Sequence, residues 1–179
     1  MRQYSRDVDH LGLAAAGFDI VQPFARGLLV GNTRALWEPF VANRRDEPDP
    51  LDRYTERCMT AAFPGQVIAY AHAKPYLPFQ QYAVEAGLAA LSATHLAIHP
   101  VYGPWFALRA LIMGPGTPQR PIAAPCTCTE ECDRAFARAL AATGWEAWLA
   151  VRDACSIGTT WRYSDEQLRY HYTRSLLVR

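Results

Sequence analysis

The sequence AIHPVYGPWFALR (residues 97–109) joins two apolar segments through a loop rich in proline and glycine. Residues 94–99 and 105–113 both have the aliphatic and aromatic content typical of strands, and residues 100–104 between them are typical of a turn. We therefore predict two strands joined by a hairpin or a tight loop. These strands require a sheet, and the elements around them must pack onto it.

The N-terminal half adds helices and strands without strict alternation. Residues 28–33 form a short apolar run that ends in turn residues, which predicts a strand or turn before a helix. Residues 44–50 are charged and proline-rich and predict a surface loop, after which Asp49 or Asp52 could cap a helix. Residues 66–71 predict another strand. This order favours an α+β fold in which helices pack over an antiparallel sheet.

A central helix is predicted to begin near Pro78 and to extend toward Leu91, because proline suits the first helical turn and the apolar residues that follow have helical spacing. Gly87 lies in the interior of this predicted helix. Glycine there costs about 1 kcal/mol relative to alanine, and it allows a backbone or a flat ligand to approach closely.

The C-terminal half begins with a proline-rich connector over residues 114–132. The apolar pattern of residues 133–154 predicts a helix, a break at Gly144, and a second helix or strand. Ser164 is expected to cap a last helix, with Gln167 as its partner in a capping box.

Composition limits the possible functions. The chain has 179 residues and a mass of 20.0 kDa, and half of the residues are hydrophobic. This length and apolar content favour one domain. Its 18 basic and 17 acidic side chains lack the basic excess that supports nonspecific nucleic-acid binding, so no nucleic-acid partner is expected. No long apolar segment or secretory signal is visible, so we expect a cytoplasmic protein without a membrane span.

Three cysteines, Cys126, Cys128 and Cys132, lie within seven residues. Their C-x-C-x3-C spacing matches neither the C-x2-C pattern of structural zinc sites nor the cysteine run of a four-iron cluster. A metal would need a fourth ligand from Cys155, a histidine or an exogenous group. Free or redox-active thiols are the favoured interpretation, and the three cysteines remain weak candidates for a metal site.

Two arginines stand in otherwise apolar segments. Arg109 lies within the predicted strand of residues 105–113, where a guanidinium either reaches solvent at a sheet edge or faces an anionic ligand. Arg152 lies in a similar setting, and Asp153 is a plausible partner for a nearby base. His99 adjoins the loop and either contacts a ligand or is a turn histidine with satisfied hydrogen bonds.

Residues 97–109 resemble the signature of the CblC-type cobalamin-processing proteins, which have Ile-His-Pro, an aromatic residue, Gly, a small residue and then Trp-Phe-Ala-Ile-Arg. Further matches occur in the same order at residues 17–20, 23–24, 49–52, 86–87, 148–154 and 163–167. Residues 82–88 with the His-Pro-x-x-Gly motif also resemble the cobalamin domain of epoxyqueuosine reductases and reductive dehalogenases. Those proteins continue into iron–sulfur modules whose cysteine spacing is not found here.

The resemblance implies a flavin-reductase-like or nitroreductase-like α+β fold, with residues 1–179 as a single cobalamin-binding domain. It implies base-off binding of cobalamin, in which the nucleotide tail is withdrawn from cobalt. A corrin has two broad apolar faces rimmed by amides, so it requires an apolar cleft with a few polar partners. The residues implied in cofactor binding are Gly87, His99, Pro100, Gly103, Trp105 and Leu108.

The resemblance also implies an activity. Cobalamin-processing proteins remove the upper axial ligand reductively, by electron transfer for cyanide and by thiolate attack for alkyl groups. Arg109 and Arg152 match arginines that hold the carboxylates of glutathione, and Arg174 or Arg179 could supply a third. The histidine that the family carries in the central helix aligns near Val84, so that cofactor contact is missing. No side chain need act as a catalytic acid or base, because the cofactor supplies the reactivity.

The reductant would be glutathione, another thiol or a reduced flavin, and a cobalamin-trafficking or reductase protein is a possible partner. Two other functions remain open at this point. One is a non-catalytic chaperone that binds cobalamin and transfers it. The other is a cobalamin-dependent enzyme that acts on an organic substrate and uses the cysteines as a redox relay.

Overall fold

The computed structural model describes residues 10–125 and 128–174. The strands are β1 (Ile20–Phe24), β2 (Gly27–Asn32), β3 (Ile68–Tyr70), β4 (Ala90–Leu91), β5 (Ala97–Ile98) and β6 (Ala107–Met113). The helices are α1 (His10–Ala15), α2 (Trp37–Asn43), α3 (Pro50–Ala62), α4 (Phe79–Glu85), α5 (Glu130–Ala141), α6 (Trp145–Asp153) and α7 (Asp165–Thr173). Short 3-10 turns occupy Arg34–Leu36 and Thr159–Trp161. No helix of the described residues is long and apolar enough to cross a membrane.

An antiparallel sheet in the order β1-β2-β6-β3 forms the centre of the fold. β2 is buried along its whole length because β1 and β6 flank it. Successive side chains of a strand point to opposite faces, so Val30 packs with α1, α2, α3 and α7, whereas Leu29 packs against α4. Both faces of the sheet are therefore covered by helices. The predicted α+β class, with helices over an antiparallel sheet, is confirmed.

The strand partners within residues 94–113 differ from a hairpin. β5 pairs with β4 in a separate two-stranded sheet, and β6 pairs with β2 and β3. Residues 99–103 close on themselves instead, because His99 and Gly103 exchange two backbone hydrogen bonds of 2.9 Å each. The tight-loop alternative is correct and the hairpin is wrong, since this closed turn redirects the chain from one sheet to the other.

Gly87 lies beyond a helix end rather than inside a helix. α4 ends at Glu85, and Gly87 adopts the left-handed conformation with φ +63°. Its N–H donates to the carbonyl of Val84, and the N–H of Leu88 donates to that of Ala83, which together form a Schellman motif. The predicted extension of this helix to Leu91 is therefore wrong, because the glycine ends it.

Other helix ends follow local signals. The helix pair over residues 133–154 is present, and Gly144 lies immediately before α6. Ser164 Oγ accepts a hydrogen bond of 3.2 Å from the backbone N–H of Gln167, so the predicted cap of α7 is confirmed. The side chain of Gln167 contacts His171 instead of completing the capping box. Asp49 precedes α3 but makes no capping bond through its side chain.

Candidate functional site

A cavity of about 390 Å³ opens between α4, the segment that connects β5 to β6, and α6. Its wall is largely apolar. The residues that form it are Phe79, Ala83, Leu96, Ala97, Pro104, Phe106, Ala107 and Leu108, with Gln80, Arg152 and Tyr172 as the polar members. Small-molecule sites typically combine an apolar wall with a few polar groups. Among the described residues that line this cavity, Arg152 is the one with a charge.

His99 is held rigidly beside this wall. Its Nδ1 accepts backbone hydrogen bonds from Val101 (3.0 Å) and Tyr102 (3.2 Å), so the proton of the neutral ring is on Nε2. The ring stacks on Tyr102 with centroids 4.2 Å apart and meets the edge of Phe106. Burial lowers the pKa of His99 from its ordinary value. His99 therefore holds the loop and offers Nε2–H as a hydrogen-bond donor.

Gly103 allows the same loop to touch a second one. Its φ is +58°, and a Cβ at this position would lie 1.9 Å from the carbonyl oxygen of Ile157. A Cβ on Gly158, opposite, would lie 2.2 Å from the carbonyl carbon of Tyr102. Residues 99–103 and 157–158 thus meet backbone to backbone, which only glycine permits.

Arg152, on α6, is fixed by three contacts. Its guanidinium lies 4.6 Å from the ring centroid of Trp105 and 5.2 Å from that of Tyr163. It also donates a 2.5 Å hydrogen bond to the carbonyl oxygen of Pro104. The neighbouring Asp153 pairs with Arg162 at 2.7 Å. Arg152 therefore borders the cavity with no described carboxylate paired to it.

Arg109, on β6, is half-buried, and its Nε donates a 2.7 Å hydrogen bond to Oδ1 of Asn32 on the adjacent strand β2. Asn32 is fully buried, and its Nδ2 donates to the backbone carbonyl of Thr33. Burial lowers the pKa of Arg109 from its ordinary value. Arg109 forms no salt bridge with any described residue, which leaves its charge available to an anion.

Three arginines, from β6, α6 and the end of α7, place positive charge around His171. Burial, followed by the positive charges of three arginines, lowers the pKa of His171 on α7 to about 2. These arginines are Arg109, Arg152 and Arg174. Arg174 is 3.9 Å from Asp52 and is partly balanced by it. The cluster carries excess positive charge around a neutral imidazole, so it favours an anionic ligand.

Two cysteines of the run lie in the described residues: Cys128 precedes α5, and Cys132 is in its first turn. Cys126 is outside the described residues, Cys128 is half-buried, and Cys132 is buried. The Sγ of Cys132 donates to the carbonyl oxygen of Ala154 at 3.5 Å, which places it in the packing between α5 and α6. Within residues 10–125 and 128–174, no three histidine, cysteine or acidic side chains are grouped so that they could hold a metal ion. Cys132 belongs to a helix rather than to the predicted loop.

The structure places the predicted site residues in several different surroundings. Leu108 and Arg152 line the cavity, and His99 and Gly103 hold the loop beside it. Trp105 is 1% exposed and is covered by Arg152. Pro100 is exposed on the loop, and Gly87 faces the chain itself: a Cβ there would lie 2.4 Å from the carbonyl oxygen of Arg120. Arg109 is not among the described residues that line the cavity.

Sequence reasoning missed Tyr163 and His171 as neighbours of the two arginines. The sequence contains no local signal for them, because β6, α6 and α7 approach one another only through tertiary packing. Tyr163 lies in the segment that carries the cap of α7, and the sequence indicated there a helix start and a match to the family, but no contact with the arginines.

Comparison with known proteins bears on the fold. No family model matches the chain, and no curated protein matches it in sequence. A crystal structure of the C. elegans B12-trafficking protein CblC, described as a human MMACHC homologue, matches with a TM-score of 0.51. The match covers 89% of this chain and 80% of that chain, at 16% sequence identity. This chain has a CblC-like fold.

The likeness to CblC agrees with the family whose signature residues 97–109 resemble. It does not support the predicted relation to epoxyqueuosine reductases and reductive dehalogenases. The narrower assignment to a flavin-reductase-like or nitroreductase-like fold stays a prediction.

Proposed function

We propose that this chain binds cobalamin as a substrate and removes its upper axial ligand, as a single unit of residues 1–179. The observation that carries the proposal is a largely apolar cavity in a CblC-like fold, lined by Arg152, with Arg109 close by in the same positive cluster and in no salt bridge with a described residue. The CblC-type motif at residues 97–109 borders the same cavity. We also propose a cytoplasmic location, which the four free cysteines of the described residues support because reducing compartments keep thiols free.

The cavity wall suits the corrin ring of cobalamin. Phe79, Phe106 and Leu108 present apolar surface that the face of a corrin can cover, and the amides around a corrin can pair with polar groups at the rim. His99 contributes one candidate donor through Nε2–H. Because Nδ1 is occupied by two backbone N–H groups, the neutral ring has no free lone pair for cobalt, which supports base-off binding without a histidine ligand.

For an alkyl group, the proposed step is attack by a thiolate. The sulfur forms a bond to the upper alkyl carbon, the carbon–cobalt bond breaks, and its electron pair stays on cobalt, which goes from Co(III) to Co(I). The products are a thioether and reduced cobalamin, and the thiol proton leaves to solvent. Arg109 and Arg152 would hold the carboxylates of the thiol, since charge-assisted pairs with guanidinium are the strong ones.

For a cyano group, the proposed step is transfer of one electron to each cobalamin, so that two cobalamins are reduced as two thiols form a disulfide or as one reduced flavin is oxidised. Cobalt goes from Co(III) to Co(II), and cyanide leaves as an anion. Withdrawal of the lower base favours this reduction because cobalt loses electron donation from that side. The protein supplies binding and cobalt geometry in both cases.

Visible spectroscopy tests the proposal directly. We expect purified protein to bind about one hydroxo-, cyano- or methylcobalamin per chain and to shift the spectrum toward the base-off form. Added glutathione should then convert methylcobalamin to reduced cobalamin. Binding without conversion would support the chaperone instead, and an unchanged spectrum with no cobalamin retained on gel filtration would exclude both.

The cysteine run is proposed to be dispensable. We expect the Cys126→Ser, Cys128→Ser, Cys132→Ala triple variant to retain dealkylation per folded molecule. Alanine is preferred at position 132 because that site is buried and its sulfur makes only two long hydrogen bonds, from Thr129 Oγ1 and to the carbonyl oxygen of Ala154. Near-stoichiometric iron or zinc in anaerobically prepared protein, lost in the variant together with activity, would instead favour the cobalamin-dependent enzyme with a cysteine relay.

A further inference from the structure

The hydroxyl of Tyr163 is an unusual buried group. Tyr163 is 2% exposed, and its Oη has no hydrogen-bond partner among the described residues. Most buried polar side-chain atoms in proteins are hydrogen-bonded, since an unpaired one loses its hydrogen bonds to water and gains none within the protein. By contrast, the buried Tyr170 uses its Oη to accept a hydrogen bond from the backbone N–H of Leu51. The unpaired hydroxyl of Tyr163 therefore requires an explanation.

The surroundings of Tyr163 are positive and aromatic. Arg152 lies over its ring, Trp105 meets it edge-on at 5.8 Å, and the His171 ring is 5.4 Å away. Burial raises the pKa of Tyr163, while the charges of Arg152 and Arg109 act in the opposite direction. The phenol stays protonated and can donate. The side chain of Arg152 is close enough to the hydroxyl to oppose the rise in its pKa, but the two do not have the geometry of a hydrogen bond, and a guanidinium cannot accept one. The hydroxyl therefore has no acceptor among the described residues.

We propose that Tyr163 is a further ligand-binding residue, whose hydroxyl donates to a carboxylate of the thiol that Arg109 and Arg152 hold. A carboxylate accepts several hydrogen bonds at once and matches both the unpaired donor and the positive charge around it. The proposal rests on the proposed function and adds a third residue that contacts the carboxylates of the thiol. The preferred thiol carries a carboxylate, and a neutral thiol gains nothing from Tyr163.

Access to the hydroxyl requires a small movement. Tyr163 is not among the described residues that line the cavity, whereas Arg152 lines it and also lies over the Tyr163 ring. A shift of this guanidinium moves only the end of a long side chain, but it breaks the hydrogen bond to Pro104 and weakens the contacts with the Trp105 and Tyr163 rings. A charge-assisted bond to the carboxylate replaces that hydrogen bond. The same shift lets the ligand reach both Arg152 and the hydroxyl beneath it.

Calorimetric titration of S-methylglutathione, which has both carboxylates and no free thiol, tests the proposal without cobalamin. We expect Tyr163→Phe to raise Kd about tenfold, the loss of one hydrogen bond to a charged group. Its Tm should stay at or above that of the wild type, because the removed hydroxyl has no described partner in the free protein. In dealkylation assays, KM for glutathione should rise, while kcat/KM for 2-mercaptoethanol stays unchanged.

Tyr54→Phe is the matched control. Tyr54 is also buried, but its hydroxyl donates a 3.0 Å hydrogen bond to the carbonyl oxygen of Ala16. This variant should lower Tm and leave Kd unchanged. The proposal is overturned if Tyr163→Phe binds S-methylglutathione as tightly as the wild type does, or if the wild type does not bind it. Failure to bind cobalamin alongside a normal titration would overturn the proposed function and leave the role of Tyr163 standing.

Discussion

Replacing Arg109 by methionine is expected to lower kcat/KM for glutathione-dependent dealkylation of methylcobalamin at least tenfold, while cobalamin affinity changes less than twofold. Hydrogen bonds to charged groups contribute about 1.5 to 3 kcal/mol, and the substitution removes the guanidinium that would make them. Initial rates at varied glutathione concentration measure the loss, and spectral titration measures cobalamin affinity. Tm should also fall, because buried Asn32 Oδ1 loses its donor.

Two further variants separate charge from shape. Arg109→Lys keeps the charge but not the planar fork, so it should recover only part of the activity. Arg26→Gln removes an exposed arginine that pairs with Glu85 and should leave activity unchanged. If Arg109→Met weakened cobalamin binding as much as dealkylation, Arg109 would support the fold rather than the thiol.

Arg152 is less suited to this experiment. It lines the cavity, but it also bonds Pro104 and packs on Trp105 and Tyr163. Removing it would disturb the small core that these aromatic residues form with Leu168. A loss of activity in an Arg152 variant therefore mixes thiol binding with stability, although the sequence alone treats the two arginines alike.

Gly103→Ala is expected to lower the free energy of unfolding by about 3 kcal/mol or more. An alanine in the left-handed conformation costs about 1 kcal/mol, and overpacking in a closely packed contact costs about 1 to 3 kcal/mol more. The added Cβ would lie 1.9 Å from the backbone oxygen of Ile157, where no flexible side-chain end can yield. For a chain of this size, Tm should fall by about 6 to 12 °C.

Gly65→Ala is the control for the glycine experiment. Gly65 has φ +73°, but no atom lies within 4 Å of a Cβ built on it. This variant should therefore cost only the conformational strain of about 1 kcal/mol. Urea denaturation of both variants measures the difference. Equal losses would mean that the contact between the two loops relaxes freely.

Local signals predicted much of the fold. The apolar run at residues 28–33 is a strand, the charged loop at residues 44–50 precedes a helix, and Ser164 caps α7. Each of these features depends on residues adjacent in sequence. The helix end at Glu85 was harder to predict, because alanines and leucines on both sides of Gly87 suit a helix. The approach of the Arg120 backbone to Gly87 depends on the fold and has no local signal.

The candidate site was predictable only in part. The motif at residues 97–109 correctly indicated the loop and one arginine of the positive cluster. It did not indicate that β5 and β6 belong to different sheets, since pairing partners are chosen by the whole fold. The family resemblance linked Arg152 to Arg109, but the proximity of Tyr163 and His171 to these arginines has no local signal, because both are 54 or more positions away from Arg109 along the chain.

The contact between residues 99–103 and 157–158 has a mechanical consequence. Two backbones in direct contact have no side chains between them to absorb displacement, so the two loops translate together. One loop borders the cavity, and the other lies between α6, which carries Arg152, and Tyr163. A displacement of the cavity wall is thus transmitted directly to the loop between Arg152 and Tyr163.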